Sequence, residues 1–79
     1  MKESKIQTKI IKRYEEQGYY VLKLIRTNKN GIPDLLCLKS NEPPLFIEVK
    51  NETGVLSEIQ KFRIKELINN KFIALILTS

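Results

Sequence analysis

The sequence predicts an α/β domain with element order αβββαβ: a four-stranded mixed sheet with a helix on each face. Three observations predict it. Two stretches carry apolar residues at helical spacing, strand-like runs bounded by turn residues lie between them, and a short apolar run closes the chain.

From Ser4 to Gln17, Ile6, Ile10, Ile11 and Tyr14 fall on one face of a helix that Gly18 stops. Tyr19 to Thr27 is rich in aromatic and β-branched residues and reads as a strand, with one of Tyr19 and Tyr20 expected to be buried. Asn28-Lys29-Asn30-Gly31 is a turn signal. Leu35 to Leu38 is a continuous apolar run, as expected of a central strand covered on both faces, and Cys37 within it reads as a small buried hydrophobe. Leu45 to Lys50 alternates, with Leu45, Ile47 and Val49 on one side and Phe46, Glu48 and Lys50 on the other. The turn residues around these runs make the strands antiparallel neighbours. Ser57 and Gln60 have capping-box spacing and open a second helix running to Asn69. Phe72 to Leu77 follows as a last buried strand. Because a helix joins strands three and four, those two are expected to lie parallel.

At 79 residues the chain has room for one domain, 1–79, and neither a linker nor a repeat divides it. Its net charge of +5, from 14 Lys and Arg against 9 Asp and Glu, suits a polyanionic partner. No histidine is present, which excludes Ser-His-Asp and Cys-His catalysis and zinc sites built on imidazole. Any catalysis must run on carboxylates and lysine, with or without a metal. No apolar stretch has the length of a membrane span and the first residues do not form a signal peptide, so a cytoplasmic protein without membrane association is expected.

Glu48 and Lys50 stand two apart on a strand, so their side chains leave the same face with α-carbons roughly 6.5 Å apart. Asp34 opens the preceding strand, where antiparallel pairing brings its carboxylate beside Glu48. Two adjacent carboxylates repel unless a proton or cation lies between them, and an all-oxygen ligand set suits Mg²⁺ or Mn²⁺. Such an ion would polarise a phosphate and acidify a bound water, with Lys50 placed to orient that water: the chemistry of phosphodiester hydrolysis. Taken singly, Glu48-x-Lys50 reads as a solvated strand face and Gly31-x-Pro33-Asp34 as a turn; their conjunction carries the argument. Gln60 either closes the capping box on Ser57 or, from its stripe with Leu56, Ile64 and Leu67, serves the site. Glu3 is either a further metal ligand or a charge favoured by the helix dipole. Arg26, Lys29, Lys61 and Arg63 are the candidate phosphate contacts.

In order, Gly31-Ile32-Pro33-Asp34, Phe46-Ile47-Glu48-Val49-Lys50 and Gly54-x-Leu56-Ser57-x-x-Gln60 resemble the virus-type replication-repair nuclease (VRR-NUC) family, a branch of the PD-(D/E)XK nucleases. The resemblance covers nearly the whole chain and implies a restriction-endonuclease-like core. It implies that Asp34, Glu48 and the Val49 carbonyl bind Mg²⁺ or Mn²⁺, with Glu3 as an additional candidate. It further implies that Lys50 serves the attacking water and that Gln60 supports the site. Stand-alone members of this size look like homodimeric cutters of branched DNA, including four-way (Holliday) junctions, which would place this chain in a bacterial or phage-infected cytoplasm. A non-catalytic nucleic-acid-binding module on the same scaffold is the competing expectation. Ile59 and Phe62, off the sheet-facing stripe, either form the dimer contact or pack beneath the Asn51-to-Gly54 loop or against the first helix.

Overall fold

The computed structural model describes residues 2–78. Helix α1 (Glu3–Glu16) forms where Ile6 and Ile10, one turn apart, share a buried stripe. It ends at Gly18, whose φ of +92° costs a glycine nothing and lets Gly18 and Tyr19 donate back to the carbonyls of Glu15 and Tyr14. Four strands follow the predicted order: β1 (Tyr20–Lys23), β2 (Leu35–Leu38), β3 (Leu45–Val49) and, after helix α2 (Glu58–Asn69), β4 (Ile73–Leu77). The sheet runs β1-β2-β3-β4, with β1 and β3 antiparallel to β2 and β4 parallel to β3. The predicted αβββαβ mixed sheet, including the parallel last pair, is therefore the observed one.

Leu35 and Cys37 of β2 and Leu45, Ile47 and Val49 of β3 project from one face and form the core with Ile6 and Ile10 of α1. Each side chain of this kind, taken fully out of water, contributes about 1.5–3 kcal/mol. Burial pushes the Cys37 thiol up to about 11, so it is an inert hydrophobe as its sequence context suggested. Tyr19 is the more buried tyrosine of its pair, packed edge-on against Tyr14, whereas Tyr20 is exposed. Helix α2 lies on the opposite face, and its stripe Leu56, Gln60, Ile64 and Leu67 is the side turned away from solvent. No helix among the described residues is long and apolar enough to cross a membrane.

The last strand, expected to be buried, lies at the sheet edge and leaves Ile73, Leu75 and Ile76 exposed, and β1, expected to extend to Thr27, stops at Lys23. One further ladder bond persists, from the Leu24 N–H to the Asp34 carbonyl at 2.8 Å. The next would join Arg26 to Ile32. Gly31, at φ +78°, instead takes the chain against the first turn of α2. The β-branched content of Ile25 and Thr27 loses to that tertiary contact. At the end of α2 the left-handed residue is Lys71, φ +70°, rather than either asparagine before it.

Candidate active site

The β2–β3 register pairs Leu35 with Ile47. Continued by one residue, it sets Asp34 directly opposite Glu48 on the face that α2 covers. One Asp34 oxygen, Oδ2, accepts the Val49 N–H at 2.8 Å, which fixes the carboxylate over the end of the β2–β3 ladder. Continued once more, the register sets Val49 opposite Pro33. A strand residue turns its N–H and C=O to the same neighbour, and proline has no N–H to give, so Pro33 cannot serve the Val49 carbonyl.

Glu48 is the one buried charged residue described, 2% exposed. Its Oε2 accepts from Gln60 Nε2 at 3.3 Å and lies 3.8 Å from Lys50 Nζ. Its Oε1 is fully buried and has no hydrogen-bond partner. Burial raises the Glu48 pKa to about 7, the facing Asp34 carboxylate pushes it the same way by repulsion and by accepting the proton that the acid form would donate, Lys50 opposes them, and Glu3 adds a smaller upward push. Leaving a buried carboxylate oxygen unpaired costs about 1–3 kcal/mol or more, so this orphan calls for a ligand.

Gln60 performs both roles that its position suggested. Its Oε1 accepts from the Ser57 N–H at 2.9 Å, completing the capping box, while its amide nitrogen holds Glu48. A carboxamide has an acceptor end and a donor end, so the helix cap orients the amide that meets the carboxylate. Glu3 comes near without joining the pair: its Oε2 lies 3.2 Å from where a Gly54 β-carbon would stand, and Lys50 Cδ lies 3.0 Å from that same point. Gly54 thus lets the Asn51-to-Gly54 loop close over the Lys50 stem.

Among the described residues no three His, Cys, Asp or Glu side chains gather as a ready-made metal cage. Asp34 and Glu48 supply two hard carboxylates, and the orphaned Glu48 oxygen beside them fits a divalent ion that fills its other positions with carbonyl, water or phosphate oxygens.

Of the four cations expected to meet phosphate, Arg26 and Lys29 line a cleft in the β1–β2 loop. Lys61 pairs loosely with Glu58 at 3.5 Å on the exposed side of α2. Arg63 is engaged within the protein: its Nε donates to the Asn30 carbonyl at 2.7 Å and its Nη1 sits 3.2 Å from Glu66, tying α2 to the loop. Arg63 therefore has a structural role whatever it contributes to phosphate binding. In the sequence Gly31 reads as a turn residue and as the first position of the Gly31-Ile32-Pro33-Asp34 motif. A β-carbon there would stand 2.8 Å from the Ile59 carbonyl oxygen, so this glycine is where the loop seats on α2 one residue before Gln60. The signal available was the glycine at a fixed offset from Asp34, which a turn explains equally well.

This fold, with two carboxylates, a lysine and a glutamine converging on the end of the β2–β3 ladder, is of nuclease type. The chain belongs to the VRR-NUC family: the VRR-NUC domain model matches residues 4–79. A solved structure described as a VRR-NUC domain is 26% identical, with a TM-score of 0.86 over 98% of this chain and 84% of that one. No curated protein matches the sequence.

Proposed function

We propose that this protein is a metal-dependent DNA endonuclease that hydrolyses phosphodiester bonds in branched DNA such as four-way junctions. The observation that carries the proposal is the buried Glu48 carboxylate with one oxygen unpartnered, opposite Asp34 and in reach of Lys50. Asp34, Glu48 and the Val49 carbonyl would hold Mg²⁺ or Mn²⁺, with Glu3 a further candidate. When bound, that ion supplies Lewis acidity to a phosphate oxygen and a more acidic water. Gln60 keeps the Glu48 carboxylate from rotating, and Asp34 is held by the Val49 N–H, so both ligands are oriented before an ion arrives. Lys50, with most of its side chain buried and its ammonium beside Glu48, orients the attacking water and offsets negative charge growing on the phosphate.

Labelled four-way, flap and duplex DNA are to be tested with Mg²⁺, Mn²⁺, Ca²⁺ and chelator. Cleavage is expected in Mg²⁺ and Mn²⁺, none in chelator, and binding with far less cutting in Ca²⁺, whose coordination is looser. Full activity in excess chelator overturns the metal-dependent reading. DNA binding without cutting under every condition favours the non-catalytic module instead.

The enzyme acts as a symmetric homodimer, because one short chain carries one site and a branch needs paired cuts. Phe62 is 55% exposed and Ile59 41% exposed. Phe62 stands with Leu56, Ile64 and Ile76 along an apolar groove of about 430 Å³ that Glu58, Lys61 and Lys65 also line. An exposed aromatic beside an apolar groove on one surface suits the repeated patch of a two-fold interface, which favours a second copy of this chain as its occupant. Light scattering is expected to give a dimer for the wild type and a folded monomer for Phe62→Glu. A wild-type monomer that still makes paired cuts in a junction refutes the dimer.

A further inference from the structure

Ile25 is 89% exposed, more than any other large apolar side chain of the described chain. It is not at the tip of a loose segment. Thr27 Oγ1 donates to the Lys29 carbonyl at 2.6 Å and accepts the Lys29 N–H at 3.2 Å, Arg63 grips the Asn30 carbonyl, and Gly31 is seated on Ile59. The loop is thus braced at several points while holding an isoleucine in water. Its neighbours Lys23, Arg26 and Lys29 are exposed and cationic, so the surface around the side chain attracts a polyanion. Val55, 80% exposed on the loop before α2, has no lysine or arginine within four residues in sequence, so no comparable cluster of cations flanks it along the chain. Of these two most exposed aliphatic side chains, Ile25 is the one flanked by cations along the chain.

Its distance from the chemistry follows from the ladder. Leu24 is hydrogen-bonded to Asp34, which sets their α-carbons about 5.5 Å apart, and Ile25 is one residue of about 3.8 Å further on. Ile25 therefore lies within about 9 Å of the Asp34 backbone, fewer than three nucleotide steps of about 3.4 Å. We infer that Ile25 is a wedge that enters the base stack beside the cleaved phosphate and selects DNA whose stack is already interrupted, an inference that rests on the DNA reading above. Aliphatic side chains flanked by cations kink DNA in this way, and the energy needed is smallest where a branch has already broken the stacking. The wedge would thus act as a specificity determinant, with Arg26 and Lys29 holding the flanking phosphates.

The test is a four-way junction carrying 2-aminopurine at the branch, bound in Ca²⁺ by wild type, Ile25→Ala and Ile25→Leu, with matched duplex alongside. Wild type is expected to raise the fluorescence. Ile25→Ala is expected to lose most of that rise and about tenfold of its preference for junction over duplex. Its duplex affinity should be unchanged because every cation remains, and Ile25→Leu should restore the signal. Wild type that binds the junction without a fluorescence rise, or Ile25→Ala that keeps both rise and preference, overturns the wedge and leaves the nuclease reading standing. Wild type that binds neither DNA overturns both.

Discussion

Glu48→Gln is expected to abolish cleavage and, at pH 8 without divalent metal, to make the protein more stable. Burial and the facing Asp34 raise the Glu48 pKa from an ordinary 4.5 to about 7. A carboxyl whose folded pKa exceeds its unfolded one favours the folded state fully below about pH 4.5, and that contribution is lost as pH rises through about 7. Above that window the folded protein carries a buried charge worth about 3 kcal/mol of lost stability. Glutamine keeps an acceptor for Gln60 and removes the charge, so the thermal midpoint should rise by about 10 °C or more at pH 8 and hardly change at pH 4. The rate should fall about a thousandfold, since an uncharged ligand cannot hold the ion. Asp34→Asn should behave alike, whereas Lys50→Ala should lose activity without the gain in stability. Thermal melts at the two pH values check this, and a gain that does not depend on pH means the buried charge is not its cause. Added Mg²⁺ or Mn²⁺ should narrow the gap, because an ion bound to the wild type neutralises the same carboxylate.

Gly31→Ala is the substitution expected to damage the fold most for its size. At φ +78° an alanine pays the left-handed cost, and its β-carbon would stand 2.8 Å from the Ile59 carbonyl oxygen and 2.9 Å from the carbon of that carbonyl. Those are helix backbone atoms, which cannot step aside singly. The two effects together amount to about 2–4 kcal/mol. Gly18→Ala is the control: its φ is +92°, but its β-carbon would meet only the flexible Lys39 side chain, at 3.6 Å and beyond. It should lose only about 1 kcal/mol. Equal losses in denaturant melts would show that the approach to α2 is not what requires the glycine. Where Gly31→Ala remains folded, relief of the clash moves the start of α2, and with it the Gln60 amide on Glu48, so cleavage should fall further than stability alone explains.

Much of this molecule was legible in one dimension because its signals are local. The alternation of Leu45, Ile47 and Val49 against Glu48 follows from the two-residue strand period, and those are the buried and site faces observed. The Ser57–Gln60 cap is set by helix geometry over a single turn. The pairing of Asp34 with Glu48 needed only that two short strands joined by a turn be antiparallel.

What the sequence left open depends on groups far apart in the chain. Whether Gln60 capped its helix or served the site was undecidable until α2 was seated over β3, where the two ends of one amide do both. Arg63 looked like a free cation until the fold brought Asn30 beside it, and the end of β1 depended on where Gly31 meets Ile59. The residue types alone therefore determined the αβββαβ order and which two carboxylates face each other across β2 and β3. Only tertiary structure decided that Glu48 is buried with an unpartnered oxygen, because desolvation is a property of everything packed around a group and not of its neighbours in sequence.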